Sequence, residues 1–378
     1  MMNKIDQKLL KFVALSQKEC TLECIVYYND KNKIIDFLNK NDVRIIKEFS
    51  LLNAYAVCFN SEKILKTAKQ NFVSYISSVA NVSALMDVSK KIIKADKTEL
   101  TGKNVTIAFI DTGINPHLDF KLGENRIIVF CDFVNHNEIP YDDNGHGTFV
   151  AGVAVGSGIL SGKKYSGVAP NANIISLKAL NEKGEATAVT ILEAMQWVYE
   201  NYEQYNIKVV CMSFGSEPLG YNDPIMKGAE KLWQEGITIV SAGGNSGPER
   251  ETIKSPGVSK KIITVGGLKD NRNELREYSE KLFEVAEFSS RGPAFSRVKP
   301  DVIAPSVNIT SCSHKGGYRQ MSGTSVATPM VAGLCALIYE KYPQAKPDQI
   351  KNFLLYNAKS IFMGKYAEGY GLVQFNLG

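Results

Sequence analysis

The run Val105-Thr106-Ile107-Ala108-Phe109-Ile110-Asp111-Thr112-Gly113 decides the fold predicted for the larger part of the chain. It contains an unbroken apolar stretch, which is typical of a strand buried on both faces in a parallel α/β sheet. Further strands of this kind are predicted at 174–180, 209–214, 237–241 and 262–265, with helices at 186–202 and 224–234 between them. Residues 104–378 are therefore predicted to form a doubly wound, mostly parallel sheet with helices on both faces.

The amino-terminal part has a different pattern. Short apolar strands alternate with helical spacing in the order strand, helix, strand, strand, helix, strand, at 22–28, 34–38, 45–49, 54–59, 64–68 and 73–77. This order predicts a small ferredoxin-like domain over residues 1–85. Residues 86–103 are mostly polar and are predicted to be a linker and the start of the larger domain. The lysines at 89–97 favour a solvated linker or helix face over a membrane or polyanion patch.

Composition excludes several classes of protein. With 378 residues and 44% hydrophobic residues, the chain is predicted to be a soluble protein of two domains. The net charge of +5 is spread among scattered lysines, so nucleic acid is not an expected partner. No apolar stretch is long enough to span a membrane and no secretory leader is evident, so a cytoplasmic location is expected. The seven cysteines show no pairing pattern or CxxC spacing and fit a reducing compartment.

Two polar segments contain candidate catalytic residues. Asp111 follows the first strand of the larger domain, where ligands and catalytic groups of α/β sheets usually lie, although a helix cap or turn would explain it equally well. His146 stands between two glycines, which let a substrate approach the imidazole closely. Taken alone, a structural histidine is the simpler explanation for this segment.

Two more segments supply a hydroxyl and an amide. Pro329 predicts that Ser325 stands at or near the start of a helix, where backbone N–H groups can stabilise an anion, unless Ser325 is merely an N-cap. Asn245 follows a strand whose last residues have small side chains or none, and its amide can donate a hydrogen bond, unless it is an ordinary turn residue. The four segments together, in the order Asp, His, Asn, Ser, are improbable by chance.

These motifs resemble those of the subtilisin-like serine proteases, the subtilase family, including its intracellular members. The resemblance covers about residues 104–342, and its most specific part is Gly323-Thr324-Ser325-Val326-Ala327-Thr328-Pro329. It implies a serine endopeptidase with Ser325 as nucleophile, His146 as general base and Asp111 as the residue that orients the histidine. It further implies an oxyanion hole formed by Asn245 and the Ser325 N–H, with no cofactor required for catalysis.

The same resemblance implies that a peptide or protein substrate adds as an extended strand between two edges. The residues implied in substrate binding are Ser213, Phe214 and Gly215 on one edge, Gly184 on the other, and Ala242, Gly243 and Gly244 around a side-chain pocket. Because little side chain is present at 242–244, the pocket is predicted to be open and to accept a fairly large apolar residue.

The resemblance also implies a zymogen. Residues 1–85 would act as an inhibitory propeptide, an intramolecular partner removed by self-cleavage near Leu85-Met86. Asp119 lies near a position that supplies a calcium ligand in many relatives, although 156–164 does not clearly reproduce the usual calcium loop. Three alternatives remain open: a dedicated processing protease for one precursor, a catalytically idle scaffold, and a nucleotide-binding domain, for which no GxGxxG or P-loop is present.

Overall fold

The computed structural model describes residues 4–6, 9–10, 13, 21–78, 86–270 and 283–376. The chain divides into two compact units, Met1–Ser83 and Ala84–Gly378, each with its own hydrophobic core. The predicted cleavage position includes Leu85, which lies outside the described residues.

Over residues 21–78 the first unit is a four-stranded antiparallel sheet with two helices, in the predicted order of elements. The sheet order is β2-β3-β1-β4. Both helices begin at a side-chain cap, Asp30 for α1 and Asn60 for α2, and bury residues four apart on one face. The elements are β1 Thr21–Tyr28, α1 Lys31–Lys40, β2 Ile45–Phe49, β3 Ala54–Asn60, α2 Ser61–Ala68 and β4 Val73–Ser78.

The second unit is built on an eight-stranded sheet, and the predicted doubly wound α/β fold is confirmed. Strand order is β13-β12-β11-β10-β5-β9-β8, with β14 also paired to β12, and the ladders are parallel except for that of β13. Every residue of β5 is buried, which requires cover on both faces of the sheet. The strands are β5 Thr106–Asp111, β6 Lys121–Leu122, β7 Glu124–Asn125, β8 Ile127–Asp132, β9 Asn173–Lys178, β10 Ile207–Met212, β11 Thr238–Ala242, β12 Ile263–Lys269, β13 Glu284–Val285, β14 Val302–Pro305, β15 Ile309–Cys312 and β16 Tyr318–Met321.

Four of the described helices of the second unit form two packed pairs. The helix that begins at His146 packs against the helix that contains Ser325, and the helices that begin at Ala188 and Pro224 pack against each other. The first pair is buried along nearly its whole length. The helices are α3 Met86–Ile92, α4 His146–Val155, α5 Ala188–Asn201, α6 Pro224–Gln234, α7 Thr324–Lys341, α8 Pro347–Asn357 and α9 Lys365–Glu368.

The predicted linker at 86–103 differs from expectation. Its first part is helix α3, and Ile92, Ile93 and Ala95 are buried in the core of the second unit. The Lys90 ammonium donates to the Gly167 carbonyl at 3.1 Å, whereas the other lysines of this stretch, Lys91, Lys94 and Lys97, are exposed, as predicted for a solvated face. The apolar residues between the lysines therefore belong to the core, and this segment is an integral part of the second unit.

None of the helices in the described ranges combines the length and apolar character needed to cross a membrane. The six described cysteines are free thiols: Cys24, Cys58, Cys131, Cys211, Cys312 and Cys335.

Candidate active site

Asp111 and His146 meet at the carboxyl edge of the sheet. Asp111 is the last residue of β5, and His146 is the first residue of α4. His146 Nδ1 lies 2.7 Å from Asp111 Oδ1, which also accepts the Thr112 backbone N–H at 2.8 Å. The aspartate side chain is 2% exposed and that of the histidine 19% exposed, so the contact is shielded from solvent while the imidazole remains accessible. This contact pairs His146 with Asp111 and so favours the interpretation of His146 as a functional residue over a purely structural role.

A network that the sequence did not predict fixes the start of helix α4. Asp142 Oδ1 accepts the Gly145 N–H at 2.7 Å and the Thr112 hydroxyl at 2.8 Å, and its Oδ2 accepts both donors of Thr148. The Thr112 oxygen in turn accepts the Gly147 N–H at 2.9 Å. Asp142 thus binds the residues on both sides of His146 to the turn after Asp111. The sequence feature that could have indicated this network is Asp142 itself, an acidic residue four positions before the first residue of the helix.

The pKa of His146 is raised above its ordinary value. Burial acts against the charged imidazolium, but attraction to Asp111 and the hydrogen bond between the two side chains outweigh it. Asp142 raises the pKa further, whereas the Arg319 guanidinium lowers it. The surroundings of His146 therefore stabilise its protonated form more than water does.

Ser325 lies in the first turn of helix α7, as the sequence predicted. The helix begins at Thr324 with Gly323 as its N-cap, so Ser325 is not the N-cap residue. Gly323 contributes no side-chain cap. The Thr324 N–H donates to Asn245 Oδ1, and the Val326 N–H donates to the Gly323 carbonyl. The Ser325 N–H between them belongs to the first turn, where no carbonyl lies four residues back in the helix. Pro329 lies inside the helix instead of in its first turn. The segment places a half-buried hydroxyl beside backbone donors.

Asn245 is oriented by the residue that precedes Ser325. Its Oδ1 accepts the Thr324 N–H at 2.9 Å and the Thr324 hydroxyl at 3.1 Å, which leaves the Nδ2 group as a donor. A Cβ atom added to Gly323 would lie 3.2 Å from Ser325 Oγ and 3.4 Å from Asn245 Nδ2. Both groups therefore border Gly323, and Asn245 is more than an ordinary turn residue.

The two predicted substrate edges line one cleft. Gly184 on one side and Phe214 and Gly215 on the other border a cleft of about 540 Å³, with an apolar wall that includes Leu180, Ile191 and Ile225. Ser213 is buried at the end of the second edge.

The side-chain pocket differs from the open apolar pocket that the sequence predicts. Ala242 and Gly243 are buried, and a Cβ atom on Gly243 would meet Val265 and Ile253. A Cβ atom on Gly244 would lie 2.6 Å from Lys254 Cγ, so a lysine side chain borders this space. Sequence patterns gave no signal for this, because Lys254 reaches the site only through the fold.

The surroundings of Asp119 do not fit calcium. Asp119 Oδ2 accepts the Tyr318 hydroxyl at 2.8 Å, and Oδ1 accepts the Leu160 N–H at 3.1 Å. Among the His, Cys, Asp and Glu side chains of the described residues, those that cluster with Asp119 are His117 and Cys312, whose nitrogen and sulfur are not the oxygen ligands that calcium prefers. Burial, followed by the Asp119 charge, raises the pKa of Cys312 well above its ordinary value, so the thiol stays protonated. Hydrogen bonds from the protein take the place of a cation at this carboxylate.

Comparisons with known proteins identify relatives of this chain. A family model described as the subtilase family matches residues 102–372. The chain is 40% identical to serine protease AprX of Bacillus subtilis (strain 168) over 329 residues, covering 78% of this chain and 72% of that protein. It is 34% identical to subtilisin DY of Bacillus licheniformis over 276 residues, 71% of this chain and 90% of that protein. The solved structure of sphericase superposes with a TM-score of 0.66 at 29% identity, covering 78% of this chain and all of that one.

Proposed function

The chain belongs to the subtilase family of serine endopeptidases, and we propose that it cleaves peptide bonds with Ser325, His146 and Asp111 as its catalytic triad. The observation that carries these assignments is the buried contact of 2.7 Å between Asp111 and His146. His146 begins helix α4, which packs against helix α7, and α7 contains Ser325. No cofactor is required for catalysis in this family.

The reaction proceeds through an acyl-enzyme. His146 takes the proton of the Ser325 hydroxyl as Oγ attacks the scissile carbonyl carbon, and the imidazolium then protonates the leaving amine as the C–N bond breaks. Water, deprotonated by the same imidazole, hydrolyses the ester and restores the serine. Asp111 stabilises the imidazolium in each half-reaction. Asn245 Nδ2 and the Ser325 N–H donate to the oxyanion of the tetrahedral intermediates.

Active-site labelling combined with a protease assay tests these roles. The wild-type protein should hydrolyse casein and form a covalent adduct with a fluorophosphonate, and peptide mapping should place that adduct on Ser325. Ser325→Ala should lose both properties while it retains the wild-type melting temperature. An adduct on another residue, or equal casein hydrolysis by the two proteins, contradicts the assignment. Absence of activity in both, after removal of residues 1–85, supports the idle scaffold instead.

We further propose that the chain is made as a zymogen and cleaves itself near Leu85-Met86. Helix α3 begins at Met86, and Ile92 and Ile93 are buried in the core of the second unit, so a cut well beyond this point would remove core residues. A cut near 85 leaves the whole of that helix on the enzyme. The first unit, with its separate core, would be an intramolecular inhibitor until this cut separates it from the enzyme.

Amino-terminal sequencing after activation tests the cleavage site. The wild-type protein should yield a new terminus close to Met86, while Ser325→Ala should remain at full length. A terminus beyond Lys94 would contradict the proposal. The cytoplasmic location stays a prediction, and fractionation of expressing cells checks it.

A further inference from the structure

Lys254 and Ser255 fill the gap between two segments that leave the sheet side by side. Strands β10 and β11 are parallel neighbours, and the chain continues from them into Gly215 and Gly244. The Lys254 N–H donates to the Gly243 carbonyl at 2.9 Å, and Ser255 exchanges two backbone hydrogen bonds with Ser216, at 2.9 and 3.0 Å. The gap therefore has a backbone floor that is tied to both of its sides.

The Lys254 side chain occupies the space toward which both glycines open. A Cβ atom on Gly215 would lie 2.6 Å from Lys254 Cβ, and one on Gly244 would lie 2.6 Å from Lys254 Cγ. Gly244 immediately precedes Asn245, whose Oδ1 accepts a hydrogen bond from the N–H of Thr324, the residue before Ser325. In the function proposed above, on which this inference rests, the substrate side chain before the scissile bond enters beside these residues.

Lys254 forms an ion pair with a residue that is far more exposed to solvent than itself. The Lys254 side chain is 18% exposed, and its ammonium pairs with the carboxylate of Glu217, whose side chain is 80% exposed. A mostly buried ammonium needs an anion or strong acceptor, whereas a carboxylate in water gains little from a pair and can be displaced. Glu217 therefore neutralises Lys254 in the free protein and is easily replaced by an incoming carboxylate.

We propose that Lys254 makes this protease select an acidic side chain at the substrate residue before the scissile bond. The substrate carboxylate displaces Glu217 and forms a charge-assisted hydrogen bond with the Lys254 ammonium inside the partly desolvated gap. An apolar side chain that reached the same depth would cover the ammonium without offering it an acceptor. Glutamate is favoured over glutamine of the same shape because only the former carries the neutralising charge.

The test uses protein that is expressed at full length and then activated. The substrates are tetrapeptide p-nitroanilides that differ only in the last residue: Glu, Gln, Leu or Lys. For the wild type, kcat/KM for Glu should exceed that for Gln by about tenfold to a hundredfold, and the ratio should fall as salt is added. Lys254→Met, which keeps the hydrocarbon stem, should bring the Glu to Gln ratio close to one and reverse the preference between Glu and Leu. Glu217→Gln should increase the Glu to Gln ratio, because the competing carboxylate is lost.

A matched control and two contrary outcomes complete the experiment. Lys260→Met, at an exposed lysine outside the gap, should keep the wild-type ratios. Hydrolysis of the Leu peptide with a Glu to Gln ratio that Lys254→Met leaves unchanged within threefold overturns this inference and leaves the protease assignment standing. Absence of hydrolysis of all four peptides and of casein overturns the proposed function and this inference together. Wild-type melting temperatures of the variants show that ratios are compared between folded proteins.

Discussion

His146 Nδ1 and Asp111 Oδ1 are 2.7 Å apart, and the same carboxylate oxygen accepts the Thr112 N–H. The backbone bond fixes the aspartate, and the aspartate fixes the imidazole with its other nitrogen available for a serine hydroxyl. Asp142 completes the arrangement from the helix side, since it binds Gly145 and Thr148 on either side of His146. The position of the imidazole therefore depends on two buried carboxylates, of which Asp111 is hydrogen-bonded to it.

Asp111→Asn should reduce kcat by about 10⁴-fold, as the same exchange does in a serine protease of another fold. The amide retains the shape of the side chain but stabilises the wrong tautomer and no longer neutralises the imidazolium. Steady-state kinetics on a peptide p-nitroanilide measure the loss. A reduction of less than tenfold in a protein that melts like the wild type would contradict the role given to Asp111.

The pH dependence of the wild type should follow His146. Its pKa is raised above 6.5 by Asp111, against the effect of burial, and only the neutral imidazole can accept the serine proton. The acid limb of kcat/KM should therefore have its midpoint above pH 6.5, with activity lost as the pH falls through it. The residual activity of Asp111→Asn should show a lower midpoint, because the attractive charge is gone. An unchanged midpoint in that variant would show that another group controls the limb.

Asn245→Leu should lower kcat by about 10²- to 10³-fold with a small change in KM, the loss known for this donor in subtilisin. Leucine is close in size to asparagine but cannot donate to an oxyanion that exists only after attack has begun. Asn222→Leu, at an exposed asparagine that accepts a hydrogen bond from Lys227, is the matched control and should retain wild-type kinetics. A main effect on KM instead of kcat would indicate that Asn245 binds the ground state.

Local sequence patterns predicted helices and strands best where the element is long and has a regularly buried face. Helix α6 begins and ends at the predicted residues, 224 and 234, because its apolar face repeats with a strong helical period. Strand β8 was not predicted, although residues 127–131 form an unbroken apolar run. It lies at the edge of the sheet and is only partly buried. Strand β14 was missed because it has four residues and ends in a proline.

The candidate site shows the same division between local and long-range information. Asp111, His146, Asn245 and Ser325 stand in short motifs whose glycines and strand ends are visible in the sequence. Lys254 was not predicted because the glycines around the gap indicated empty space, and only the fold reveals which side chain enters it. Glycine in a sequence shows where a side chain is missing, but not what fills the space.

The hydrogen bond from Tyr318 to Asp119 leads to the last prediction. Because protein donors satisfy both oxygens of this carboxylate, calcium should not act on stability through Asp119. Calcium and a chelator should shift the melting temperature of Asp119→Asn by the same amount as that of the wild type, whatever that amount is. Tyr318→Phe should melt several degrees lower, because a buried carboxylate loses a donor at a cost of about 1–3 kcal/mol.

Scanning calorimetry of the three proteins, each with calcium and with chelator, measures these effects. Tyr165→Phe is a suitable control, since Tyr165 packs edge-to-face against Tyr318 at 4.7 Å between ring centroids and the exchange retains that ring. A calcium-dependent rise in melting temperature that is present in the wild type and absent from Asp119→Asn would place a cation at Asp119. That result would mean that Tyr318 and Leu160 release the carboxylate when the ion binds.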